Sequence, residues 1–476
     1  MRASLASSIA VACAAALALP VTLAAPATAT ARPAAAALPP AQDELPGSTQ
    51  SLPLRPLGSS VRSFGTDPGA AAEQGLARRD VRPFSLVGVV WDDPAAVLHG
   101  TVQVRTRAAA DGVWSPWQDV ETHNEEHGAD PATAEGAAGT LRGSTAPLWV
   151  GDSDGVEIRV RAEPEHPEHP DHTAGEHRDR AGSAAPLPAG LRLELVDPGE
   201  DPAAAPAPGT RAMAPPAVLT AAEAAATGVN SQLAPYGATA IPASPAIPAT
   251  TAEEVQGAPV RQAAPGRETA KKKPYIGPRP KIITRKGWGA DESIREKGFV
   301  YTKTIKAAFV HHSATGNNYT CGQAPSVLRS IYRYHVKSSG WRDFGYNFTV
   351  DKCGNIYEGR AGGVSKPVLG AHTLGFNTNS MGIAVLGTFT SSNPPAAVVT
   401  AVARLTAWKL GLHGINPKGT QTLVSGGGGL YKKGRKVTFH TIAGHRDGFA
   451  TECPGGRLYG KLGTARASSA KYQGRS

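Results

Sequence analysis

From Pro198 to Gly277 the sequence runs on alanine, proline, threonine and other small or polar residues, a texture with too little apolar side chain to bury a core of its own. Whatever folds must lie on either side of it, and a chain of 476 residues leaves room for two folded units separated by linkers. The stretch reads as an extended linker, semi-rigid in its proline-rich parts. It ends on Lys271-Lys272-Lys273, a linker charge run rather than a specific site. Residues 32–79 share its Pro/Ala-rich composition and read as disordered. The expected layout is a signal peptide at 1–31, a disordered segment at 32–79, an accessory β domain at 80–198, the linker at 199–277, a second folded domain at 278–465 and a tail at 466–476.

The N-terminus has the pattern of a secretion signal: Arg2, an apolar run over 9–25, and small residues at Ala29-Thr30-Ala31 before Arg32 and Pro33. The run is short for a membrane span, which favours a signal over an anchor. The mature chain is expected to be exported, extracellular or wall-associated, with no integral membrane anchor. Of four cysteines, Cys13 lies in the signal, which leaves Cys321, Cys353 and Cys453. In an oxidising compartment two would pair and the third needs another role. The net charge of +10 is uneven: residues 278–476 hold 28 Lys and Arg against 8 Asp and Glu, so the remainder of the chain is acidic. A basic C-terminal half suits an anionic polymer, and export favours cell-wall polymers over nucleic acid; a solubilising basic surface is the alternative reading.

Short alternating runs at 84–91, 101–107, 148–150, 156–160 and 191–196, with Trp114 and Trp117 between them, predict a small all-β domain and suggest a sandwich. A tract at 164–180 carries His166, His169, His172 and His177 among prolines and acids; it reads as a solvated loop rather than a metal trap. In the second unit, 307–310 predicts a buried strand delivering His311. A helix is predicted over 325–337, with Val327, Leu328, Ile331, Tyr332 and His335 on one face, and another over 394–412. Strands are predicted at 345–351 and 355–358 about Cys353-Gly354, at 380–386 and at 437–442. The fold class is therefore α/β: a C-terminal domain with a central mixed β-sheet flanked by helices, plus a smaller N-terminal all-β domain and a long Ala/Pro-rich linker.

His311, His445 and Cys453 stand out as metal ligands. Catalytic zinc commonly takes three protein ligands and keeps a fourth position for water. His311 ends an apolar strand, and His445 and Cys453 share a Gly/Pro-bearing loop that can fold back. From spacing alone two readings stand: a zinc site, or a packed strand-end histidine beside an idle thiol.

Six segments occur in order: ITRKGWGAD at 283–291, VHHSAT at 310–315, GWRDFGYNF at 340–348, DKCGNIYEGR at 351–360, GAHTLGFN at 370–377 and GHRDGFATECPG at 444–455. Over about 281–462 the chain resembles the peptidoglycan recognition protein family, which includes the zinc amidases of the N-acetylmuramoyl-L-alanine amidase type 2 class. The resemblance implies that His311, His445 and Cys453 bind Zn2+, that Tyr346 lies near the zinc water and assists catalysis, and that Thr451 adds a hydrogen-bond donor. It implies that His372 lines the substrate groove; Trp341 and Asn377 are candidates for the same groove. Family members that only recognise the wall usually lack the zinc cysteine, so Cys453 and Tyr346 favour an enzyme.

The implied reaction is zinc-assisted hydrolysis of the amide between the lactyl group of N-acetylmuramic acid and L-alanine, with no clear general base. Cys321 and Cys353, without catalytic neighbours, are read as a disulfide tying the helix start to the hairpin. His312 is expected to pack on the opposite strand face, His440 to be second to His445 or at the surface, and Glu358 and Arg360 to be structural. The accessory domain resembles regions ahead of such catalytic domains in secreted bacterial amidases, with wall binding or a spacer role open. The rival to the amidase is a peptidoglycan-binding or sensing protein of the same fold; a nucleic-acid binder lacks an interleaved basic and aromatic motif. Bacterial peptidoglycan is the expected partner, anionic wall polymers a second class, and the protein is expected to be a monomer.

Overall fold

The computed structural model describes residues 47–57, 73–163, 186–201 and 275–476. The expected signal, the histidine tract and the lysine run lie outside the described residues, as does nearly all of the linker.

Period-two alternation in the accessory region forms strands β1 Ser48–Pro53, β2 Arg55–Pro56, β3 Glu73–Trp91, β4 Gly100–Ala108, β5 Gln118–Val120, β6 Gly143–Ser144, β7 Leu148–Ala162 and β8 Arg192–Asp197. They belong to one eight-stranded sheet, β1-β8-β3-β7-β4-β5, with β2 and β6 attached to β3. A two-sheet sandwich was the expectation; strand length decides otherwise. β3 pairs with β7 over most of its 19 residues and with β8 near its end, and register shifts after Leu76, Asp80 and Phe84 bend the sheet between these partners. One face buries Val87, Val89, Val102, Val104, Ile158, Leu193 and Leu195.

Two boundaries shift. The segment expected to be disordered contributes β1, whose six residues pair in register with β8 and so have their polar backbone groups met by a ladder that composition does not reveal. The expected tail at 466–476 belongs largely to a helix, Leu462–Tyr472, in which Ala465, Ser469 and Ala470 are buried.

The second lobe contains β9 Ile282–Ile283, β10 Ala307–His312, β11 Phe348–Val350, β12 Ile356–Glu358, β13 Ser380–Val385, β14 Thr420–Val424, β15 Lys436–His440 and β16 Ile442–Gly444. Its main helices are α1 Ala324–Arg333, α2 Ala396–Leu412 and α3 Leu462–Tyr472. The central sheet runs β16-β10-β13-β11-β12-β9 and is mixed, antiparallel only at β11/β12. The single strand expected at 437–442 divides: β15 pairs with β14 in a separate ribbon, while β16 enters the central sheet beside β10. α2 and α3 cover one sheet face through Val398, Val402, Leu405 and Leu462. α1 covers the other. Pro325 opens its first turn, and Val327, Leu328 and Ile331 are buried on the predicted face. Beyond Arg333 the helix widens into a π turn, Tyr334–Ser338.

That face of α1 also meets the accessory sheet. Leu86, Val90, Trp149 and Val196 join Val327, Leu328, Ile331 and Tyr334 in one hydrophobic cluster. The Tyr334 hydroxyl donates toward the carbonyls of Val89 (3.2 Å) and Thr145 (3.1 Å). Gly88 makes this approach possible, because a Cβ there would lie 2.4 Å from the Tyr334 hydroxyl oxygen. Units distant in sequence thus share a core.

Cys321, just ahead of α1, is bonded to Cys353 in the β11–β12 turn. The bridge closes a loop with a sequence separation of 32. Removing it by Cys321→Ser with Cys353→Ser is expected to lower unfolding free energy by about 2–4 kcal/mol, chiefly through the greater freedom of the unfolded chain. Urea denaturation of both proteins checks this.

Candidate metal centre

β10 is an interior strand with parallel neighbours on both sides, so its C-terminal end opens onto one rim of the sheet. His311 sits there. The register that pairs Val310 with Gly444 brings His445, the residue after β16, next to His311, with ring centroids 4.4 Å apart. The following loop turns back because the Arg446 amide donates to the Cys453 carbonyl (2.9 Å) and Asp447 accepts from the Gly444 amide (2.9 Å). Cys453 Sγ comes to 3.8 Å from His311 Nδ1. The other nitrogen, Nε2, lies 3.3 Å from His372 Nδ1 and 3.4 Å from Thr373 Oγ1, which fixes the ring with Nδ1 turned to the thiol.

A fourth donor joins these three. His127, from the loop between β5 and β6 of the accessory region, has one ligand atom that lies with those of His311, His445 and Cys453 inside a group no wider than 4.8 Å. Its ring centroid is 4.6 Å from that of His445 and 5.4 Å from that of His311. Both ring nitrogens of His127 and of His445 are buried without a hydrogen-bond partner. Orphaned buried imidazole nitrogens are costly, and a bound cation would satisfy them. Three imidazoles and a thiol are also the donor chemistry of zinc. Burial and the neighbouring imidazoles hold His311 and His445 well below the ordinary histidine range, and burial takes His127 to about 3. They are therefore neutral and free to donate lone pairs. Burial, then Glu126, push the Cys453 thiol up, a balance that a coordinated cation reverses.

Tyr346, just ahead of β11, is buried with its ring 5.3 Å from that of His311, and burial with Cys453 and Glu126 nearby pushes its phenol well above the usual range. Thr451 Oγ1 donates to Glu126 Oε1 (2.7 Å) and accepts from the Cys453 amide (3.1 Å). Burial raises Glu126 to about 7, against the hydrogen bond from Thr451. A pocket of about 280 Å³ is lined by Glu126, His127, His312, Tyr346, Thr451 and Cys453, among others.

The three residues expected in the substrate groove are all covered. His372 is fully buried beneath His311, with its Nδ1 3.3 Å from His311 Nε2. Asn377 donates to the Gly128 carbonyl and to Asp130 Oδ1, both at 2.8 Å. Trp341 is stacked on His335, with centroids 4.4 Å apart. His312 accepts from the Phe389 amide (3.4 Å) and reaches the pocket wall, so it does more than pack; His440 is exposed. Arg360 makes a two-pronged pair with Glu135 of the accessory loop (2.7 and 2.9 Å), a contact that sequence reading assigned to neither residue.

Sequence reasoning also missed Glu126 and His127. The one available signal was the segment His123-Asn124-Glu125-Glu126-His127, which has the spacing of an H-x-x-E-H metal motif. That motif needs a helix to bring both imidazoles to one ion, whereas 121–130 is irregular here and only His127 reaches the cluster.

Residues 33–182 match the family described as Rv3811 N-terminal galactose-binding domain-like, and residues 301–456 match the N-acetylmuramoyl-L-alanine amidase family. Peptidoglycan-recognition protein SC2 of Drosophila melanogaster is 29% identical over 185 residues, covering 38% of this chain and 85% of that protein. N-acetylmuramoyl-L-alanine amidase of Homo sapiens is 30% identical over 189 residues, covering 39% of this chain and 28% of the human protein. The solved structure of wild-type Drosophila PGRP-LB is similar at 27% identity, covering 39% of this chain and 93% of that one, with a TM-score of 0.31.

Proposed function

Because the chain belongs, through its C-terminal lobe, to the family of peptidoglycan recognition proteins and type 2 N-acetylmuramoyl-L-alanine amidases, we propose that it is an exported zinc amidase that hydrolyses the bond between N-acetylmuramic acid and L-alanine. One observation carries this reading: His311 converges at one sheet rim with His445 and Cys453, which lie far along the chain from it, with their ligand atoms within 4.8 Å of one another. A recognition protein needs no such set of buried donors.

His311, His445 and Cys453 are the ligands that the catalytic lobe itself would provide. When bound there, zinc supplies a Lewis acid that activates water and polarises an amide carbonyl. The protein's own part is positioning and donation. His372 and Thr373 hold the His311 ring. Tyr346, whose ring is tilted 51° to that of His311, offers a phenol O–H toward charge developing on the amide oxygen, and the Thr451 hydroxyl is a second donor once released from Glu126. The buried walls exclude bulk water around these groups.

The test is digestion of purified peptidoglycan by the zinc-loaded chain carrying His127→Ala, which clears the accessory imidazole from the cluster. New L-Ala amino termini and free lactyl groups are expected. Tyr346→Phe in that background, which keeps the ring and removes the donor, is expected to lower the rate by about a hundredfold. A zinc-retaining chain that binds wall and releases no L-Ala termini would leave a recognition protein and refute the hydrolase.

A further inference from the structure

We propose that His127 is a fourth protein ligand to the metal, and that the accessory loop 121–142 is a built-in latch which keeps the centre closed. This rests on the metal reading above. A catalytic zinc centre keeps one position open, whereas a site with four protein ligands is closed. Here the catalytic lobe provides three donors and the accessory region brings the fourth into the same cluster.

Contacts along its whole length dock the loop on the C-terminal lobe. The His127 side chain is only 7% exposed, neither ring nitrogen has a hydrogen-bond partner, and a bond to a cation would satisfy the one that faces the cluster. Glu126 beside it takes the Thr451 hydroxyl, so the loop occupies a catalytic donor as well as the cluster. Further along, Asp130 accepts from the Gly375 amide (2.8 Å) and from Asn377, while Glu135 is clasped by Arg360. The Arg142 amide also donates to the Ser339 carbonyl (3.1 Å). The contacts match the charge division in the sequence: carboxylates of the acidic N-terminal part settle on the basic C-terminal lobe.

The geometry thus describes a resting state in which substrate cannot reach the centre. Hydrolysis requires the loop to withdraw and His127 to leave the cluster, which opens one coordination position and frees Thr451 and Asn377 together. Its short flanking strands, β5 and β6, are the places where the movement must begin.

The test is Co(II) in place of zinc, read by its visible absorption, with azide as a probe for an open position. The full wild-type chain is expected to bind one Co(II) whose spectrum does not respond to azide. His127→Ala is expected to give a shifted, azide-responsive spectrum, weaken metal retention by at least about tenfold, and hydrolyse wall at least about tenfold faster than wild type. A second measurement needs no variant: removing metal from the wild-type chain with a chelator is expected to speed tryptic cleavage after Arg142 by at least tenfold. A wild-type Co(II) spectrum that responds to azide as the variant does, or cleavage unaffected by metal removal, overturns the latch and leaves the amidase reading standing. An opened spectrum in His127→Ala without hydrolysis supports the fourth ligand and refutes the hydrolase instead. Failure of the wild-type chain to take up metal overturns both.

Discussion

Cys453→Ala in the His127→Ala chain is expected to remove zinc retention and to lower release of L-Ala termini by at least about four orders of magnitude, or roughly 5.5 kcal/mol of barrier. Cys453 is 2% exposed and is the one free cysteine among the described residues. Its thiolate is the only anionic donor in the cluster. Alanine leaves His311 and His445, two neutral imidazoles, which hold zinc poorly, and without zinc the activation of water is lost. The side chain is small, so cavity formation alone would cost little. Loss of activity in a protein that unfolds normally in urea would therefore report ligation rather than misfolding. Cys453→Ser is expected to fare little better, because a neutral hydroxyl is a weak ligand. Zinc content by atomic spectroscopy and timed release of L-Ala termini check both variants. A Cys453→Ala chain that keeps its zinc and hydrolyses within tenfold of its parent would remove the ligand role from this residue.

The set His311, His445 and Cys453 was legible through the family resemblance of its motifs, since strand and loop spacing by itself left a packed histidine beside an idle thiol equally open. An apolar run ending in His311 exposes that residue at a sheet rim, but which strand lies beside it was not readable, because the run at 437–442 divides and only Ile442–Gly444 pairs with β10. Cys453 follows on a loop whose turn residues fold it back. Helix α1 was readable from the spacing of Val327, Leu328 and Ile331, and its widening after Arg333 was not, because the π turn Tyr334–Ser338 answers to packing against the accessory sheet. β1 was hidden for a related reason: its stability comes from β8, some 140 residues on, and nothing in its own composition records that partner. The same limit concealed His127 and the clasp of Glu135 by Arg360. Both depend on how one lobe docks on the other, through an irregular loop that has no period to read. The uneven charge of the two halves was visible, but it was read as serving an external polymer or solubility, whereas part of it is used within the molecule.

Arg360→Ala is expected to destabilise the docked form by about 3–5 kcal/mol, because it leaves the Glu135 carboxylate buried without its partner. The two side chains are 8% and 6% exposed, and two parallel hydrogen bonds join them. Burial by itself would raise Glu135, but Arg360 together with Arg342, whose amide also donates to the carboxylate (3.2 Å), holds it below its ordinary range. The loop has one economical response to losing the arginine, which is to carry Glu135 out to water. Tryptic cleavage after Arg142 should then rise, and urea unfolding should show the loss. A double variant, Arg360→Met with Glu135→Leu, separates charge from shape. Removing both charges spares the desolvation penalty, so most of the stability should return. It should not return entirely, because Arg360 Nε also donates to the Phe344 carbonyl (2.6 Å), and that acceptor loses about 1 kcal/mol of hydrogen bonding. If the double variant is as unstable as Arg360→Ala, the pair is not the clasp of the loop, and Arg360 acts through Phe344 and the turn before β11 instead.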